Sequence, residues 1–116
     1  MPEYVPDRGD VVWLDFEPTK GKEIGKYRPA LVLSPREYAK KTKFVIVCPI
    51  STSIRGGAME VPIEGLDKPS VVVSTVINTY SWKERNVKKI TKVKPEVMDE
   101  VLLRLIPTIG ATHLFS

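Results

Sequence analysis

The hydrophobic positions of this chain fall in short blocks punctuated by proline, glycine and charge. After Gly9-Asp10, the run Val11-Val12-Trp13-Leu14-Asp15-Phe16 puts Val12, Leu14 and Phe16 at alternate positions. That alternation predicts a strand with this face inward and Trp13 on the other side. Trp13 then either packs under a terminal helix or lines an interface. Pro29 to Leu33 is a continuous apolar run, and Pro29 to Ser34 is read as a strand buried on both faces. Pro35 to Lys40 fits one helical turn with Ser34 as N-cap. Further strands are predicted at Phe44–Pro49, Ala58–Ile63, Val71 to about Val76, and Asn86–Val93, the last an edge type. Glu17 to Tyr27 and Ser51 to Gly57 read as loops.

A helical period begins only at Pro95. Val97, Met98, Val101, Leu102 and Leu105 form one stripe, Pro95 suits the first turn, and Pro107 should end or kink the helix. The tail from Thr108 to Ser116 reads as loosely held. About six short strands and one terminal helix predict a mainly β fold, a small antiparallel barrel. The strands do not alternate with long helices, which argues against a doubly wound sheet.

The length of 116 residues suits one domain, 1–116, large enough to bury roughly two-thirds of its unfolded surface. No apolar run approaches the roughly 20 residues of a membrane span, and no signal-peptide core is visible. With Cys48 as the one cysteine, no intrachain disulfide or multi-thiolate zinc site forms. A cytoplasmic location is the expectation.

Charge is modest overall, +4, but unevenly spread. Lys20 to Lys43 carries net +6 and Lys83 to Lys94 net +5, leaving the remainder at −7. Two basic blocks on an otherwise acidic chain suggest a polyanion-facing surface, or else lysine-rich loops that keep the protein in solution. Catalytic options are few. His113, the one histidine, sits in the tail and reads as a surface residue; the chain has no Walker-type phosphate loop and no convincing metal-ligand spacing, so neither cofactor nor metal is expected. Cys48 falls inside an apolar strand and reads as a buried, inert thiol.

One candidate site remains. Arg28 precedes Pro29 at the start of a buried strand, and Ser51, Thr52 and Ser53 follow the third strand. If those strands pair, an arginine, three hydroxyls and the basic loop Lys20–Lys26 surround one concavity. A guanidinium offers forked donors to phosphate, and hydroxyls can hydrogen-bond its oxygens. Equally, Arg before Pro is often structural, and Ser/Thr runs often make turns.

Several strings carry a further signal. Tyr4 to Gly21 (YVPDRGDVVWLDFEPTKG), Tyr27 to Pro35 (YRPALVLSP), Cys48-Pro49-Ile50-Ser51-Thr52, Glu60-Val61 and Trp82-Lys83-Glu84-Arg85 resemble the MazF/PemK toxins in order and spacing, from about residue 4 to 106. The resemblance implies an SH3-like (CcdB/PemK-like) antiparallel barrel with a C-terminal helix. It implies a homodimer, a cognate MazE-like antitoxin, and metal-independent, sequence-specific cleavage of single-stranded RNA through 2′-hydroxyl attack. It matches Arg28 to the family's catalytic arginine, Ser51 to a position usually threonine, and Glu23 to a loop glutamate. If RNA is the substrate, Lys20, Lys22 and Lys26, in the net +6 segment beside Arg28, are expected to line its path with Thr52 and Ser53, and Tyr27 either stacks a base or supports the loop. Ile24 stands where glutamine is usual, Tyr27 where some members have histidine, and Thr75-Val76 where an acidic residue and glutamine are frequent. Two alternatives share the barrel: a CcdB-like toxin that binds gyrase, and an RNA-binding relative without cleavage activity.

Overall fold

The computed structural model describes residues 3–16 and 27–115. Seven strands and two α-helices follow one another along it: β1 (Asp10–Asp15), β2 (Tyr27–Val32), α1 (Arg36–Thr42), β3 (Phe44–Ser51), β4 (Glu60–Ile63), β5 (Ser70–Val73), β6 (Asn78–Ser81), β7 (Lys88–Lys92) and α2 (Pro95–Thr108), with a short 3-10 turn at Thr112–Phe115. The strands form one curled antiparallel sheet in the order β4-β5-β3-β2-β1-β7.

The curl originates in β3. One of its edges pairs with β2; the other is divided, Phe44–Val47 pairing with β6 and Ile50–Ser51 with β5. Pro49, which has no N–H to give a ladder, sits where that second edge changes partner. β6 is an element that pattern reading does not find: Asn78-Thr79-Tyr80-Ser81 has no apolar alternation, and its strand state comes from pairing with β3.

The two faces of the sheet carry separate cores. Val11, Leu31, Cys48 and Ile50 face α2, meeting Met98, Val101 and Leu105. Val12, Leu14, Ala30, Val32, Val45 and Val47 face the other way, meeting Ala39 of α1 and Trp82. β1 is therefore buried on both faces in its first half, Val11 as fully as Val12, and not on the Val12-Leu14-Phe16 face alone. A register shift between Val11 and Val12 in the pairing with β7 accompanies this. β2 is buried on both faces as expected, and the α2 stripe packs as its period predicts.

Other local expectations change. Ser34 does not cap α1: its hydroxyl accepts the Ile46 N–H at 3.0 Å, and Pro35 holds the N-cap position without a side-chain cap. Asp7, far away in sequence, takes that part, accepting the Arg36 N–H at 3.0 Å. Burial would raise the Asp7 pKa, but backbone N–H groups of Arg36 and Arg8 and the charges of Lys92 and Arg36 outweigh it, and the carboxyl is held below its ordinary value. Asp10 next to it is 1% exposed and accepts the Tyr4 hydroxyl, with Lys92 Nζ at 3.3 Å and Lys89 Nζ at 3.6 Å. These contacts fasten the N-terminal segment to β7. Gly9 allows the turn, since its φ of +91° strains any side chain. Pro107 lies inside α2, which runs one residue further, to Thr108.

Candidate active site

Strand register decides which side chains meet. β1 and β2 pair with Leu14 opposite Arg28 and Trp13 opposite Pro29; β2 and β3 pair with Ala30 opposite Pro49. Continued two residues to the rim, that register sets Arg28 across from Ser51. Because side chains alternate along a strand, Leu14, Arg28, Ala30, Pro49 and Ser51 share one face. Arg28 and Ser51 accordingly line one open cleft of about 310 Å³, together with Phe16, Pro49, Val73 and Val76. Arg28 is exposed, so its charge faces solvent and whatever fills the cleft. The Ser51 Oγ accepts the Ser53 N–H at 3.0 Å, which leaves its own proton available to a ligand.

The same alternation divides the concavity expected from the sequence. Tyr27 and Thr52, the chain neighbours of Arg28 and Ser51, belong to the opposite face. Thr52 lines a different recess with Trp13 and Pro29, and Tyr27 stacks on Trp13 with ring centroids 5.6 Å apart and planes 16° apart. Trp13 thus does not pack under α2; it is 40% exposed at the rim of the sheet. The Tyr27 hydroxyl donates to the Asn86 carbonyl at 2.8 Å, and burial and the Asp15 charge raise its pKa, keeping it a neutral donor. Ser53 is exposed and contributes its N–H rather than its hydroxyl to the arrangement. Glu23, Lys20, Lys22 and Lys26 lie outside the described residues.

Arg85 is a contributor that reasoning on single residues missed. Its Nη1 donates to the carbonyls of Asp15 (3.2 Å) and Phe16 (2.9 Å), and its guanidinium lies 4.4 Å from the Tyr80 ring centre. Tyr80 meets Phe16 edge-on at 5.6 Å. Arg85 thereby fixes the end of β1 and the aromatic wall of the Arg28 cleft. The string Trp82-Lys83-Glu84-Arg85 was the available signal, but nothing local tells that its arginine reaches back to β1.

Val76, 46% exposed, gives the cleft an apolar side, with Thr75 half-buried beside it. Cys48 is fully buried, its thiol pushed up to about 12 by burial, so it stays protonated and apart from the cleft. Among the described residues no group of three or more His, Cys, Asp or Glu side chains is arranged to hold a metal ion. The chemistry on offer is a guanidinium and a hydroxyl, a pair suited to phosphate oxygens.

A curled antiparallel half-barrel carrying a C-terminal helix, with an arginine and a hydroxyl at its open rim, defines the class: a small β-barrel with an anion-accepting cleft. The match to known proteins narrows it. A family model described as "PemK-like, MazF-like toxin of type II toxin-antitoxin system" matches residues 7–109, and the chain belongs to that family. It is 36% identical over 107 residues to the endoribonuclease toxin MazF of Escherichia coli K12, covering 92% of this chain and 96% of that one. The endoribonuclease toxin ChpB of the same organism is 34% identical, covering 85% and 90%. Among solved structures, MazF from Deinococcus radiodurans superposes with a TM-score of 0.82 at 35% identity, covering 93% of this chain and 99% of that one. A MazE–MazF crystal form from the same organism gives 0.84 at 34% identity, covering 93% and 98%.

Proposed function

We propose that this chain is the toxin of a type II toxin–antitoxin pair and acts as a metal-independent, sequence-specific endoribonuclease on single-stranded RNA. The observation that carries the reading is the meeting of Arg28 and Ser51 on one face of one cleft, in a chain that spans nearly the whole of its endoribonuclease relatives. In the reaction the ribose 2′-oxygen bonds to the adjacent phosphorus and the bond to the 5′-oxygen breaks, giving a 2′,3′-cyclic phosphate and a 5′-hydroxyl. The 2′-hydroxyl loses a proton and the leaving oxygen gains one. Arg28 stabilises the extra negative charge on the phosphoryl oxygens, and the free proton of Ser51 Oγ points a second donor at them. Glu23 is assigned to proton transfer. Lys20, Lys22 and Lys26, with Tyr27, Thr52 and Ser53, hold the strand on either side.

The working form is a homodimer in the cytoplasm, one domain per chain, silenced by a MazE-like antitoxin whose acidic segment competes with RNA for the basic loop. Among the described residues no helix is long and apolar enough to cross a membrane. The test is direct. Purified protein is incubated with a long RNA in the presence of a chelator, and the fragment ends are sequenced. Cuts at a recurring sequence, with 5′-hydroxyl and cyclic-phosphate ends, are expected. Intact RNA beside a folded protein, or 5′-phosphate ends, would overturn the reading, and gyrase inhibition without RNA cleavage would favour a CcdB-like toxin.

A further inference from the structure

Across β2 from Arg28 lies a second recess, of about 350 Å³, which takes no part in bond breaking and to which only Thr52 at its edge and Tyr27 behind its wall have so far been given a part in holding the strand. Its floor is apolar, formed by Pro29, Leu66 and Ile90, and its wall is Trp13. Thr52, Lys68 and Asp67 supply polar groups at its edge. Lys88, exposed on β7, stands opposite Trp13 in the β1–β7 register and so shares its face. We infer that this recess is a nucleobase-stacking subsite, holding a nucleotide of the RNA strand next to the one placed at Arg28; the inference rests on RNA being the substrate.

Three observations support it. First, two rings are left 40% and 38% exposed at one rim, which the folding of the core does not require. They are already stacked on each other, and Tyr27 is tethered through its hydroxyl to the Asn86 carbonyl. A platform ordered in advance spares binding the cost of freezing rotamers. Base–aromatic stacking is tolerant of sequence and strong enough to place a strand. Second, Lys68 and Lys88 flank the aromatic wall with the charge that a phosphate linkage takes, while Thr52 and Asp67 offer a donor and acceptors to a base edge. Third, the two recesses meet at the same rim. Tyr27 and Arg28 are consecutive, as are Ser51 and Thr52, and each pair sends one side chain to either face. A strand whose phosphate lies at Arg28 and Ser51 therefore reaches Trp13 by passing over the sheet edge.

The two tryptophans allow a specific readout, since Trp82 is 4% exposed and bonded through Nε1 to the Ala39 carbonyl, and Trp13 alone is open to a ligand. Wild-type protein is titrated with a pool of short unstructured single-stranded RNAs carrying 2′-fluoro riboses, which lack the attacking hydroxyl. Quenching of the exposed tryptophan on binding is expected. Trp13→Leu should weaken binding roughly 5- to 150-fold. In cleavage of unmodified RNA it should raise KM by a similar factor with kcat little changed, and Trp13→Phe should restore most of the loss. Melting curves of both variants separate a lost subsite from a lost fold, and Lys68→Ser gives an independent, non-core perturbation that should lower the salt slope by about 0.7. Normal cleavage and binding by folded Trp13→Leu would overturn the subsite while leaving the endoribonuclease reading intact. Quenching without any cleavage would support the subsite and remove that reading. If an acidic peptide quenches Trp13 and the RNA pool does not, the face docks protein, and the inference is wrong.

Discussion

Replacing Arg28 with lysine isolates the chemistry from the fold. Arg28 sits at the exposed start of β2, opposite Leu14, and makes no ion pair with any described residue. Its replacement removes no buried contact, so stability should change by no more than about 0.5 kcal/mol. The transition state is affected differently. Lysine keeps the positive charge but offers one compact ammonium where the guanidinium presents a rigid fork to two phosphoryl oxygens. Losing one preorganised donor at a developing oxyanion costs on the order of 100- to 1,000-fold in rate, about 2.7–4 kcal/mol. The loss should fall on kcat, because the charge that attracts the RNA remains. The assay is single-turnover cleavage of an RNA spanning a mapped site, alongside denaturant unfolding of both proteins. A folded Arg28→Lys protein that cleaves at near the wild-type rate would remove Arg28 from the reacting centre. Equal loss of RNA affinity and rate would recast it as a binding residue.

Other expectations follow from the same geometry. Neutralising Lys20, Lys22 and Lys26 together should weaken RNA binding and flatten its dependence on log salt by about 0.7 per lost phosphate contact, read from titrations at several ionic strengths; an unchanged slope would mean that these lysines do not meet the strand. Trp82→Phe removes the donor that reaches the Ala39 carbonyl at 3.0 Å and shrinks a buried ring, so chemical denaturation should show a loss of about 1–3 kcal/mol with cleavage by the folded fraction unchanged. Asp7 links acid stability to the α1 cap. Its folded pKa lies below the unfolded value of 3.8, so its contribution is present above that value and is lost as pH falls through the folded pKa. Urea midpoints of Asp7→Asn should therefore fall less steeply than wild type in the acid range below about pH 4, and identical profiles would remove Asp7 from that role.

How much was legible in the sequence differs by element. The α2 stripe and the buried run of β2 follow from local periodicity, and both pack as read. The rim arginine and hydroxyl were legible in kind, because a strand start and a strand end that pair must lie together. β6 was not legible, since its four residues carry no pattern and take their conformation from the edge of β3. The cap of α1 was misread for a related reason: Ser34 has the right chemistry at the right position, but Asp7, 29 residues away, reaches Arg36.

By itself the sequence determined which segments extend, which one coils, and that an arginine and a hydroxyl stand at strand ends. Hydrophobic period and turn chemistry act over a few residues and survive in any context. Only the tertiary structure decided which side chains share a surface. Pairing register is set by contacts between distant segments, and a step of one residue along a strand exchanges one face of the sheet for the other. That step parts Tyr27 and Thr52 from Arg28 and Ser51, and the distant Arg85 closes the wall beside them by holding the end of β1.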